Sequence, residues 1–243
     1  MDEVVLSLPF AGRWLARNSP ARRVPSHGSD LWGERYAIDF VGVDGGDDDS
    51  IDVTDRADRR TARQRDWRTF LAAEPAERFY AYGRPILAPA DGTVVAAHDG
   101  EVDHEGRRSQ LALVPYMLGQ ASRVRAGVGT VAGNHLVMAL GGGRGLVALA
   151  HLRSGSMRVG IGEEVTAGQV LAECGSSGNS TQPHVHVQVM DDADFSVARG
   201  VPMTFRQFRE RPRRAREWHT RAAGIPGEGA LVEPLPSAAR EHA

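Results

Sequence analysis

Between Pro85 and Met190 the chain repeats one pattern: a short β-prone run, a turn built on glycine or proline, and another run, at intervals of about ten residues. PILAPADGTVVAA holds a Pro-Ala-Asp-Gly turn between two such runs, and HLVMAL, GLVALA and AGQVLAECG follow, each beside a glycine. That rhythm leaves little room for long helices and belongs to a sandwich or barrel-like sheet. The 28 glycines and 13 prolines, against 6% aromatic residues, agree with it. The expected fold is mainly β, with an antiparallel sandwich or barrel-like core.

Three stretches depart from the pattern. The polar run over 44–58, DGGDDDSIDVTDRAD, reads as a solvated loop; as a calcium loop it lacks the glycine at position six and the glutamate at position twelve. Between residues 54 and 79, Trp67, Phe70 and Leu71 stand at helical spacing among arginines and aspartates, which predicts an inserted amphipathic helix. After Met190 comes the arginine-rich RQFRERPRRAREWHTRAAG and a tail punctuated by proline. This end is expected to be irregular, its arginines solvating a surface. The resulting division is a β domain over residues 1–205 and an arginine-rich C-terminal extension over 206–243.

Composition excludes several functions. A net charge of -2 supplies no basic field for sequence-independent nucleic-acid binding. No lysine occurs, so a catalytic lysine or a lysine-borne prosthetic group is excluded. The single cysteine, Cys174, can form neither an internal disulfide nor a cysteine-based zinc site, and is expected to be a buried small residue. No apolar stretch approaches the roughly 20 residues that span a bilayer. The N-terminal VVLSLPFAGRWLA lacks a basic start and a cleavage site, so the chain is expected to stay in the cytoplasm unless another export route, or an earlier start codon, applies.

The chemistry gathers around histidine. In Pro183-His184-Val185-His186-Val187 the two histidines are two apart on a strand and share a face, the beginning of a metal site. His151 closes the apolar run GLVALAHL. Asp39 sits in AIDFV, where RYAIDFVG alternates as a strand and a buried carboxylate needs a cation or hydrogen-bond donors. A metal is one such partner; Arg35 is another.

The run from NHLVMAL through GSSGNSTQPHVHVQVMD, with PILAPADGTVVAAHDG before it, resembles the lysostaphin-type (LytM-like) zinc metallopeptidases over most of residues 24–205. The resemblance implies an antiparallel β fold of the duplicated hybrid motif type with a groove, one zinc ion per chain, and hydrolysis of peptide bonds such as peptidoglycan cross-links. By position, Asp39 and His186 would bind zinc. His151 and His184 would be the catalytic pair, deprotonating the attacking water and stabilising the oxyanion. The family's usual third ligand, a histidine four residues before the aspartate, is replaced by Arg35, which cannot bind zinc. His27 could take its place if SDLWGER loops back toward Asp39. His98, His104, His135, His219 and His242 are expected to be surface or structural residues. Ser176, Ser177 and Asn179 are expected to hold the tight Gly-rich turn before His184.

Two alternatives accompany this reading. A non-catalytic relative would use the same groove to bind a peptide or to regulate a cell-wall hydrolase. APADGTVV and VTAGQVLA also resemble carrier and sugar-phosphotransfer domains, for which His184 or His186 would carry phosphate.

Overall fold

The computed structural model describes residues 3–44, 61–63, 66–107, 109 and 128–236. Within them the strands are β1 (Val4–Leu6), β2 (Trp14–Arg17), β3 (Ile38–Gly42), β4 (Pro85–Leu87), β5 (Gly92–His98), β6 (Asn134–Leu140) and β7 (Leu146–Leu152). Then follow β8 (Glu164–Val165), β9 (Val170–Glu173), β10 (Val185–Met190), β11 (Met203–Arg211), β12 (His219–Gly224) and β13 (Leu231–Pro234). One large sheet runs in the order β1, β11, β13, β2, β3, β10, β7, β6, β5, β8, with β12 also paired to β11. A separate ribbon joins β4 to β9. The fold is mainly β, as expected. The sheet is mixed rather than wholly antiparallel, because β1 pairs with β11 in parallel.

Alternation along the central strands separates two faces. Val185, Val187 and Val189 of β10, Val147 and Leu149 of β7, and Ile38 and Phe40 of β3 enter the main core. The ribbon covers that core through Ile86, Leu171 and Ala172, and Cys174 is buried there as expected. Each such large aliphatic side chain contributes roughly 1.5–3 kcal/mol by leaving water. The opposite face carries His186, Gln188 and Met190 of β10, Ala148 of β7 and Asp39 of β3. All of these are buried too.

Two expectations are corrected. The C-terminal extension is not irregular in its described part: β11 runs across the 205/206 boundary, β13 pairs with both β11 and β2, and β12 pairs with β11. Its arginines are partly structural. Arg211 is 1% exposed, and the guanidinium groups of Arg13, Arg209 and Arg211 lie 5.1, 4.9 and 5.5 Å from the ring centre of Trp218. Arg209 pairs with Glu233, and Arg221 with Glu210. Cation–π stacking and ion pairing let charged side chains line a strand that alternation alone would have left exposed.

The inserted helix is reduced, among the described residues, to one turn at Arg68–Leu71 and a 3-10 turn at Ala76–Arg78. Trp67, Phe70 and Leu71 are all exposed in the described structure, so helical spacing does not there mark a buried face. Residues 45–58 of the acidic run, residues 54–60 of the insertion and His242 lie outside the described residues. No helix of the described residues is long and apolar enough to cross a membrane.

Candidate metal centre

The register of the sheet assembles the site. His186 of β10 is paired directly across the ladder with Asp39 of β3, and on its other side with Ala150 of β7. Cross-strand partners on one face are within side-chain reach, and His186 Nδ1 lies 2.9 Å from Asp39 Oδ1. His27 reaches the same carboxylate from a loop, its Nε2 3.2 Å from Oδ2. The residues between them run through a 3-10 segment, Leu31–Tyr36, in which Trp32 (φ 55°) and Gly33 (φ 77°) both take left-handed backbone. Two consecutive residues of that hand turn the chain sharply, and a Cβ on Gly33 would also press on Gln188 and Met190 at 3.2 Å. His27, Asp39 and His186 thus place one donor atom each within 4.8 Å of one another.

His151 and His184 border the same cavity, with Asn18, Asn179 and Thr181 on its wall. Their rings are 4.6 Å apart, centre to centre. His151 owes its orientation to backbone strain. Leu149 and Leu152 both enter the core, so the alternation of β7 skips a residue between them, and His151 sits in the skip with φ 61°. A non-glycine residue in that region is uncommon and costs of order 1–3 kcal/mol; here it turns the imidazole into the cavity.

Hydrogen bonding fixes which nitrogen of each ring is free. A backbone carbonyl can only accept, so His151 Nδ1–H donates to Ser177 O at 2.9 Å and His184 Nδ1–H to Gln182 O at 2.8 Å. Both rings then keep an unprotonated Nε2. For His186 the assignment passes through Gln188, whose Nε2 donates to Trp32 O at 2.7 Å. Its Oε1 therefore faces His186 and accepts that ring's Nε2–H at 2.9 Å, leaving Nδ1 toward Asp39. His27 Nδ1–H is satisfied by Ser26 Oγ at 3.0 Å, whose hydroxyl donates to Glu34 O, leaving Nε2 toward Asp39. In this network two imidazole lone pairs and one carboxylate converge, and such an arrangement is repulsive unless a proton or a metal ion lies among them.

Without metal, a proton fills that role at His186. Burial disfavours its charged form, but the hydrogen bond and charge of Asp39 outweigh burial and lift its pKa to about 9. Burial pushes the Asp39 carboxyl up, yet the surrounding His27, His184 and His186 hold it well below the usual carboxylate range. His184 is lowered chiefly by burial, and His151 is lowered further by burial and by the neighbouring His184 and His186. Both are neutral near pH 7. Since a metal ion must displace the His186 proton, apparent zinc affinity is expected to rise about tenfold per pH unit from about 6.5 to about 9, then level off. Chelator competition at stepped pH checks this; a flat profile below pH 9 would place the proton elsewhere.

A comparison with family models matches residues 117–197 to peptidase family M23. Residues 117–197 are similar to this peptidase family. The resemblance read from the sequence is thereby shown. The matched segment contains His151, His184 and His186, whereas His27 and Asp39 join the M23 segment through the geometry described above. No curated protein matches the sequence. Among solved structures, a zinc-containing peptidase of Vibrio cholerae is 23% identical, with a TM-score of 0.31, over 46% of this chain and 25% of that one. The catalytic domain of lysostaphin from Staphylococcus simulans is 20% identical, TM-score 0.33, over 53% of this chain and 84% of that one. The prophage-encoded M23 protein EnpA of Enterococcus faecalis is 18% identical, TM-score 0.33, over 58% and 94%. The chain thus spans a quarter of the first of these and most of the other two.

Around the M23 segment, the remaining expectations sort as follows. Arg35, at the usual ligand position, pairs with Asp30 at 2.7 Å and packs on Tyr36, so it does not serve Asp39. His98 pairs with Glu101, His135 is buried beneath Phe195 and donates to Gly133 O, and His104 and His219 are exposed. Ser177 ties the Gly-rich turn down: its hydroxyl donates to Leu152 O and accepts Asn134 N–H. At Gly178 a Cβ would stand 2.4 Å from Gly133 N, so only glycine lets the turn pack there.

Sequence reading missed Asn18, which donates to Asp39 Oδ2 at 2.7 Å, together with Ser26 and Gln188. Gln188 was the legible one, being two residues beyond His186 on the same face. Substituting Gln188→Leu is expected to weaken zinc binding by about 10–100-fold, as loss of an outer-shell partner does, while Gln188→Glu, which keeps the acceptor, retains most of the affinity. Titration against a zinc-selective chelator reads both variants.

Proposed function

We propose that this protein is a zinc-dependent metalloendopeptidase that cuts a peptide strand laid along the His151, His184 and His186 face. The observation that carries the reading is the convergence of His27, Asp39 and His186, one ligand atom of each within 4.8 Å of the others, beside two further neutral histidines. Two imidazoles and one carboxylate suit zinc with a position left for water or substrate, and do not suit calcium or magnesium, which prefer oxygen. When bound, zinc lowers the pKa of water and polarises the scissile carbonyl.

The remaining work belongs to the chain. Asn18 holds the Asp39 carboxylate from the Oδ2 side, Ser26 orients His27, and Gln188 holds His186. His184 and His151 each offer a neutral Nε2, so one can take the proton of the attacking water. Once protonated, the pair stabilises the developing oxyanion and can return a proton to the leaving amine. A peptidoglycan cross-link is the substrate we favour, on the M23 match and on the resemblance of the motifs.

Elemental analysis of protein purified without added metal, followed by hydrolysis assays on peptides and isolated cell wall, tests the reading. Zinc near one per chain together with peptide-bond cleavage supports it. No zinc after reconstitution overturns it in favour of a peptide-binding module.

A further inference from the structure

The cavity at the metal centre adjoins a second, smaller hollow of about 30 Å³ that shares His151, His186, Trp32, Glu34 and Val131 with it. Away from the shared residues its lining is apolar but for Gln188: Ala132, Ala148, Ala150 and Phe195. The hollow exists because of two small residues. In the ladder between β7 and β10, Ala150 stands opposite His186 and Ala148 opposite Gln188. The floor next to the histidines is therefore low. Beyond Ala148 the apolar cluster of Val137, Met190, Phe195 and Ala198 closes the far end, with Trp32 packed against it.

We propose that this hollow is a side-chain subsite, with Ala148 and Ala150 as its specificity-determining residues, and that the substrate residue bound there carries a methyl side chain, as alanine does. This rests on the peptidase reading above. Continuity with His151 and His186 places the occupant within one residue of the bond being cut. The size sets the limit: 30 Å³ is roughly twice what a single water needs, enough for a methyl group and too little for an isopropyl group or an aromatic ring. Glycine would leave an apolar hollow unfilled and forgo the burial of that methyl, whereas a polar side chain would lose its hydrogen bonds to water on entering.

The test uses the full chain loaded with zinc and a set of peptides that carry glycine, alanine, valine or phenylalanine on either side of the scissile bond. Both kcat/KM and equilibrium binding by calorimetry are measured. Alanine at one of the two positions is expected to exceed glycine by about tenfold or more, the usual worth of a methyl-sized group in a fitted pocket, with valine and phenylalanine disfavoured. Ala148→Leu fills the hollow and should bring the alanine-to-glycine ratio to near one; Ala148→Gly deepens it and should move the preference from alanine toward valine. Equal cleavage and binding of glycine and alanine peptides, or a ratio unmoved by both variants, overturns the subsite. Side-chain-selective binding without any cleavage supports the subsite and overturns the peptidase reading instead. Neither binding nor cleavage overturns both.

Discussion

Alanine at Asp39 is expected to leave the protein unable to hold zinc. Among His27, Asp39 and His186, Asp39 is the sole anion, and both its oxygens are engaged: Oδ1 with His186 Nδ1 at 2.9 Å, Oδ2 with His27 Nε2 at 3.2 Å and Asn18 at 2.7 Å. Its removal takes the donor set from three to two, and removes the charge that offsets a dication in a buried site. The loss should exceed the about 10–100-fold expected for an outer-shell partner such as Gln188. Zinc per chain is then expected to fall from near one to below about 0.1 under chelator competition that leaves the parent loaded. Asp39→Asn, which keeps the shape, should lose zinc as well. Retention of zinc by both variants would place the metal elsewhere.

The same substitution has a signature in the metal-free protein. A histidine whose pKa is raised on folding contributes stability that is complete below its ordinary value near 6.5 and is lost as pH rises through about 9. Asp39 is what raises His186, so metal-free Asp39→Ala should lose that decline in stability between pH 6.5 and 9. Denaturant midpoints at pH 6, 8 and 10 read the difference. An unchanged slope would mean that His186 does not bind its extra proton through Asp39.

The parts of this site that local periodicity controls were legible before the fold was known. Alternation alone put His184 and His186 on one face, and the cost of burying Asp39 in AIDFV pointed to a cation. The approach of His27 to Asp39 depends on left-handed backbone at Trp32, a residue that gives no sign of it, so sequence could offer His27 only conditionally. His151 is similar: its aim comes from the skipped alternation in β7, which appears only once β6 and β10 fix the register. The C-terminal strands were hidden for a different reason. Arginines in β11 read as solvated surface until Trp218, Glu233 and Glu210 are in place to receive them. Conversely, Trp67, Phe70 and Leu71 carried a helical period that the described structure does not bury.

Alanine at His184 should separate chemistry from metal binding. The ring shares the cavity with the metal-binding trio, but its Nδ1 is committed to Gln182 O and its Nε2 stands 3.6 Å from Asp39 Oδ1, farther than His186 or His27. Zinc should therefore stay near one per chain while kcat falls by about 10²–10⁴, the usual worth of a positioned general base. His151→Ala should behave alike, and the double variant should cost little more than the worse single one, because the two rings act on one proton. The parent's pH profile carries the matching sign. Burial lowers both histidines, so the neutral, proton-accepting form persists below pH 6.5, and kcat/KM should fall only as pH drops below that value. Loss of zinc together with activity in His184→Ala would make His184 a ligand; full activity with zinc retained would remove it from the chemistry.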